Sequence, residues 1–200
     1  MRKFVSTGLF LAVLFCCSCH EQDLPGANSN SLTLEPKEYV QWIRELTNGL
    51  KKEKTIDDLI FTVQFKPPEY IVCMEERQPQ LPGDLVKRKT AELSDMQYYD
   101  FTITLKKGQG ELLKYDLTSS GQYTQRVNYF AFGLQKDIQL LDGNDTLSCS
   151  LFHFERAYDV TPSGTFLLGF PVNKNSSGQD KTLIVDDKTF GIMIHDFRKH

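Results

Sequence analysis

Residues 99–106 alternate without a break, Tyr99, Phe101, Ile103 and Leu105 against Asp100, Thr102, Thr104 and Lys106. Successive side chains of a strand point to opposite faces, so this period of two predicts a strand with one apolar and one wet face. Such a strand belongs in an antiparallel sheet with a layer over its apolar side; parallel strands, covered on both faces, read as continuous apolar runs instead. Partners for it are present. Residues 55–66, with Ile56, Ile60, Phe61, Val63 and Phe65, read as one strand that stops at Pro67-Pro68. In residues 135–156, Ile138, Leu140 and Leu141 rise to Asp142-Gly143-Asn144-Asp145, and Leu147, Cys149 and Leu151 return, the pattern of a hairpin. Residues 165–172 and 182–185 are expected as further strands, with Asp186-Asp187-Lys188 as a turn before residues 190–197.

Helical spacing is confined to shorter stretches. Pro36 suits a first turn, Thr33 or Glu35 can cap it, and Tyr39, Val40, Ile43, Leu46 and Leu50 follow near a helical period until Asn48-Gly49 ends the helix. Trp42 beside Ile43 is expected to pack in the core. Residues 69–76 fit strand or helix, residues 85–96 an exposed helix, and residues 119–132, with Tyr123, Val127 and Phe130 behind Ser119-Ser120, another helix. Helices early and strands late predict a single α+β domain over residues 35–200, an antiparallel sheet with a few helices packed on it. A β-sandwich is the alternative. A chain of 200 residues, 40% hydrophobic and 24% charged, rules out a disordered or polytopic membrane protein.

The amino terminus carries an address. Arg2 and Lys3 precede an apolar run over residues 4–15, about 12 residues against the roughly 20 needed for a permanent span. The run ends in Leu14-Phe15-Cys16-Cys17-Ser18-Cys19, which resembles the lipobox of bacterial lipoproteins. The resemblance implies a signal peptide over residues 1–18, diacylation of Cys19 after the small Ser18, and a flexible tether over residues 19–34. Cys17, with Leu14 three residues before it and Cys16 adjacent, is the alternative. The acidic His20-Glu21-Gln22-Asp23 and the Asn28-Ser29-Asn30-Ser31 run complete a likeness to small surface lipoproteins of the Bacteroidota, implying export and an outer-membrane anchor, periplasmic or surface-facing. Asp145-Thr146-Leu147 is similar to the Asp-Thr-aliphatic O-glycosylation acceptor of that phylum, which would make Thr146 a modification site.

Charge and motifs narrow the chemistry. The chain has 23 basic and 26 acidic side chains, and losing Arg2 and Lys3 with the leader leaves the body acidic, a poor partner for nucleic acid. Cys73 and Cys149 remain in the domain, each among apolar neighbours, where an envelope disulfide and two buried free thiols are both open readings. No Gly-x-Ser-x-Gly elbow occurs, and Gly108-Gln109-Gly110 lacks the third glycine and lysine of a phosphate loop, so no cofactor is predicted. His153 and Glu155 sit two apart on an expected strand and would share a face, a candidate acid-base or metal pair. Tyr98, Tyr99 and Tyr129 are candidate exposed rings for a glycan or small ligand. The leading expectation is a lipid-anchored, non-enzymatic accessory or binding subunit of an envelope assembly with a protein partner. A glycan- or ligand-binding lipoprotein and a His153/Glu155 enzyme follow it, and the oligomeric state stays open.

Overall fold

The computed structural model describes residues 33–107, 110–158, 160–176 and 181–199. In chain order these form β1 (Thr33–Leu34), α1 (Pro36–Arg44), β2 (Lys51–Ile56), β3 (Leu59–Lys66), α2 (Pro68–Glu76), β4 (Leu81–Pro82), α3 (Gly83–Glu92) and β5 (Met96–Leu105). A short 3-10 turn (Leu112–Lys114) leads to α4 (Ser120–Asn128), which continues into a π-helical turn (Tyr129–Gly133) and a second 3-10 turn (Leu134–Asp137). Then come β6 (Ile138–Asp142), β7 (Asp145–Ser148), β8 (Leu151–Glu155), β9 (Ser163–Pro171), β10 (Lys181–Asp187) and β11 (Ile192–Lys199). The α+β class is as expected, but there are two principal antiparallel sheets rather than one. One has the order β2-β3-β5-β9-β8, the other β11-β10-β6-β7. A two-residue pairing joins β1 to β4, so Thr33 and Leu34 belong to the fold although the sequence places them in the tether.

The alternation in β5 does what its period requires. Gln97, Tyr99, Phe101, Ile103 and Leu105 are buried, and the residues between them face partly outward. Phe61 and Val63 of β3, Phe166, Leu168 and Phe170 of β9, and Ile138, Leu140, Leu183, Val185 and Ile194 of the other sheet complete one continuous core. The two sheets therefore share an apolar interior, as in a sandwich, with Phe130 and Leu134 filling it from the helical side. Phe166 lies at its centre, stacked on Phe154 at 4.8 Å and met edge-on by Phe130 at 5.2 Å. A second, smaller core is built by α1 and α2 with Leu81, from Tyr39, Ile43, Tyr70, Val72 and Cys73, with Trp42 packed against it.

Three local expectations are corrected. Residues 55–66 are two strands, because Asp57 adopts φ 52° and turns the chain at Asp57-Asp58 between Ile56 and Leu59; Asp tolerates this conformation without a glycine. The first of those strands is β2, where Lys52 and Lys54 pair with Val63 and Phe61 and so share the core-side face of an edge strand, an arrangement that discourages edge-to-edge pairing. The hairpin after Gln135 ends its return at Ser148. At Cys149-Ser150 the chain leaves for the other sheet, and Leu151 opens β8 against Gly169. The helix expected over residues 119–132 stops being α-helical at Asn128, and the Leu134 N–H reaches the Tyr129 carbonyl five residues back.

Cys73 and Cys149 are both buried free thiols, in different cores. Of the two open readings the structure shows the free thiols, because the two cysteines belong to separate apolar clusters. Burial pushes each thiol up to about 11. Among the described residues no helix is long and apolar enough to cross a membrane.

Candidate functional site

Among the described residues, strand β8 is the outer strand of the five-stranded sheet and pairs with β9 alone. Its sequence, Leu-Phe-His-Phe-Glu, turns Phe152 and Phe154 toward the core while Leu151, His153 and Glu155 are exposed. The register sets His153 beside Leu167 and Glu155 beside Thr165. Across the same wet face, Tyr98 pairs with Gly169 and Lys66, and the Lys66 ammonium meets Asp100 at 3.0 Å.

The π-helical turn makes the opposite wall. Residues two apart lie on opposite sides of a helical turn, and here Phe130 is fully buried while Phe132 is 76% exposed. Three contacts hold the turn. Phe130 meets Phe154 edge-on at 5.6 Å, and the Tyr129 hydroxyl donates to Asp137 Oδ2 (2.9 Å) while accepting the Lys188 N–H (3.0 Å). Gly133 is needed there, since a Cβ at that position would stand 2.6 Å from Tyr129 Cδ2.

Between turn and strand lies an open cleft of about 440 Å3, lined by Ala131, Phe132, Gln135, Phe152, His153 and Phe154. A neighbouring cleft of about 430 Å3 runs along β6 and the end of β7, from Gln135 to Cys149. Gln135 stands between the two, its side-chain amide donating to the Cys149 carbonyl at 3.0 Å. The arrangement offers an apolar surface with one imidazole, flanked by a strand edge, at the place where the chain crosses from one sheet to the other.

The candidates from the sequence fall in several places. His153 and Glu155 do share a face, and Tyr98 lies half-buried on it. Tyr99 is buried, and desolvation there raises its phenol far above the ordinary range. Tyr129 is half-buried and engaged at its hydroxyl. Thr146 is exposed in β7 opposite Leu141, one residue from the hairpin turn. Cys17 and Cys19 lie outside the described residues. No cluster of three or more His, Cys, Asp or Glu side chains able to hold a metal occurs among the described residues. Phe132 and Gln135 escaped the sequence reading: a regular helix through Phe130 gives no cue to the π turn, although Phe132 belongs to an aromatic cluster visible in the sequence.

No protein-family model, curated protein or solved structure matches this chain.

Proposed function

We propose that the protein is a lipid-anchored envelope lipoprotein whose body is a non-enzymatic binding subunit, taking an extended segment of a partner protein along β8. The observation that supports this reading is the side of β8 that has no strand partner among the described residues, opening onto a cleft with Phe132 three-quarters exposed on the far wall. A strand edge supplies main-chain hydrogen bonds, and an adjacent apolar cleft selects alternate side chains, the two elements of strand addition. An exposed aromatic side chain becomes a binding anchor when a partner covers it in a desolvated pocket. The anchor would be the acyl chains on Cys19, with the residues before Thr33 as reach.

Chemical crosslinking of the tagged protein in its own cells, followed by mass spectrometry of the solubilised membrane, tests both parts. A defined envelope partner should be recovered with crosslinks at β8. Phe132→Ser should weaken its capture about thirtyfold, the effect of roughly 2 kcal/mol of buried aromatic surface. Since Phe132 contributes little to the core, the melting temperature should hardly move. Cys19→Ala should release the protein from the membrane fraction. Unchanged capture by Phe132→Ser refutes the groove, and a membrane-bound Cys19→Ala refutes the anchor assignment.

A further inference from the structure

Helix α4 and the first residue of the π turn that continues it present Gln122, Gln125, Arg126 and Tyr129 at offsets of three, four and seven residues, one stripe of the surface. The turn between β10 and β11 faces it with Lys188 and Thr189, and these six side chains line a cleft of about 280 Å3. It is separate from the cleft at β8. Tyr129 ties its two walls together, through Asp137 on the helical side and the Lys188 N–H on the turn.

Arg126 is unusual in this wall. It is only 8% exposed, and the hydrogen bonds described for it all leave from Nη1, to the carbonyls of Leu112 (3.4 Å), Leu113 (3.3 Å) and Tyr115. Its guanidinium lies over the Phe190 ring, 5.0 Å from the centroid. Its Nε is buried and has no hydrogen-bond partner among the described residues. An unmet buried donor on a charged group is costly, and native structures rarely keep one without a purpose. In a guanidinium the Nε–H and the Nη2–H lie side by side and match the two oxygens of a carboxylate or phosphate. With Nη1 tied to three carbonyls, that paired edge is the part of Arg126 without a described partner, and a ligand seated in the cleft would displace the lining that covers Nε to reach it.

The surrounding charges choose between the two anions. Lys188 pairs with Asp186. The buried Asp187 takes the N–H groups of Thr189 (3.1 Å) and Phe190 (2.8 Å) and acts electrostatically on Arg126, as does Asp116. Asp137 holds Tyr129. A phosphate dianion would enter against these carboxylates, whereas a carboxylate brings the same two oxygens with one charge. Gln122, Gln125 and Thr189 add neutral donors and acceptors suited to hydroxyl groups. We propose that this cleft binds a small hydroxylated carboxylate of the sugar-acid type, gripped by the Nε and Nη2 edge of Arg126.

The Arg126 Nε–H resonance of the 15N-labelled full chain reports on that grip directly. Titration with glucuronate should shift it saturably, with a Kd on the order of 1 mM. Glucose should leave it in place, and inorganic phosphate should bind at least about tenfold more weakly. Gln125→Glu, at an exposed rim position, should keep the fold and weaken glucuronate about fivefold by adding a like charge near the ligand. An Nε–H resonance unmoved by glucuronate at tens of millimolar overturns the proposal, and so does unchanged binding by Gln125→Glu. Phosphate binding as tight as glucuronate overturns the carboxylate assignment.

Discussion

Lys181→Met should destabilise the fold by about 3 kcal/mol at neutral pH, and the reason is a single buried carboxylate. Asp142 closes β6 with no exposed surface. Its Oδ2 accepts from Gln97 Nε2 of β5 at 2.8 Å and from Lys181 Nζ of β10 at 2.7 Å, and its Oδ1 accepts from Ser176. Gln97 Oε1 takes a second bond from Lys181 at 2.6 Å, so the cluster ties the two sheets together. Removing the ammonium while the carboxylate stays leaves an uncompensated buried charge, typically a loss of about 3–5 kcal/mol. Lys181 keeps 18% of its side chain in solvent, which sets the expectation at the lower end.

The pH dependence distinguishes this from simple loss of packing. Burial pushes the Asp142 carboxyl up, but the bonds from Lys181, Ser176 and Gln97 outweigh it and hold the group below its ordinary value. A carboxyl depressed in the folded state contributes stability above its unfolded pKa and loses it as pH falls through the folded one. In Lys181→Met the main opposing interaction is gone, so burial should raise the group above its unfolded value. Its penalty is then full at neutral pH and fades as acid protonates the carboxyl. Urea denaturation of both proteins from pH 7 down to about pH 4 should therefore show a gap that narrows. A gap below about 1 kcal/mol at pH 7, or one that does not change with pH, refutes the assignment of Asp142 as a charge held by Lys181.

Gly169→Ala should cost about 1–3 kcal/mol, because its Cβ would lie 2.9 Å from Leu151 Cβ and 3.0 Å from Met96 Cε; a thermal melt unchanged from the parent would show that β8 and β9 can yield there freely. Both thiols near 11 are protonated at pH 8, so iodoacetamide should spare Cys73 and Cys149 in the folded protein and alkylate them in urea, as located by peptide mass spectrometry. Native alkylation comparable with that in urea would mean that the two cores open readily.

The sheet was legible wherever one face had to be dry. The alternation of β5 and the Gly143-Asn144 turn between β6 and β7 needed only periodicity and turn chemistry, and both are found where the sequence puts them. What escaped had its signal in another part of the chain. Only Thr55 and Ile56 of strand β2 fall in the strand expected from the sequence, because Lys51, Lys52 and Lys54 carry no apolar alternation and the pairing with β3 alone defines the strand. The alternation of residues 151–155 placed His153 and Glu155 on one face, but the wall facing β8 depends on a π turn that Phe130, Phe154 and Gly133 fix through contacts distant in sequence. Arg126 gives the same lesson. As a charged residue on a polar helix it reads as solvated, and only the carbonyls of Leu112, Leu113 and Tyr115 bring it inside.

The separate small core also decides how the molecule would respond to mechanical load. A pull arriving from the amino-terminal side reaches the two-residue ladder of β1 on β4 first, and next α1 with Tyr39 and Ile43. These elements meet the main sheet through Gln64, whose side-chain amide donates to the Ile43 carbonyl at 3.1 Å, so load passes from α1 to β3 at that bond. Strand β8 lies at the far edge of its sheet, beyond β3, β5 and β9. The amino-terminal layer thus stands first in the line of tension, and the surface on the opposite edge of the sheet stands last.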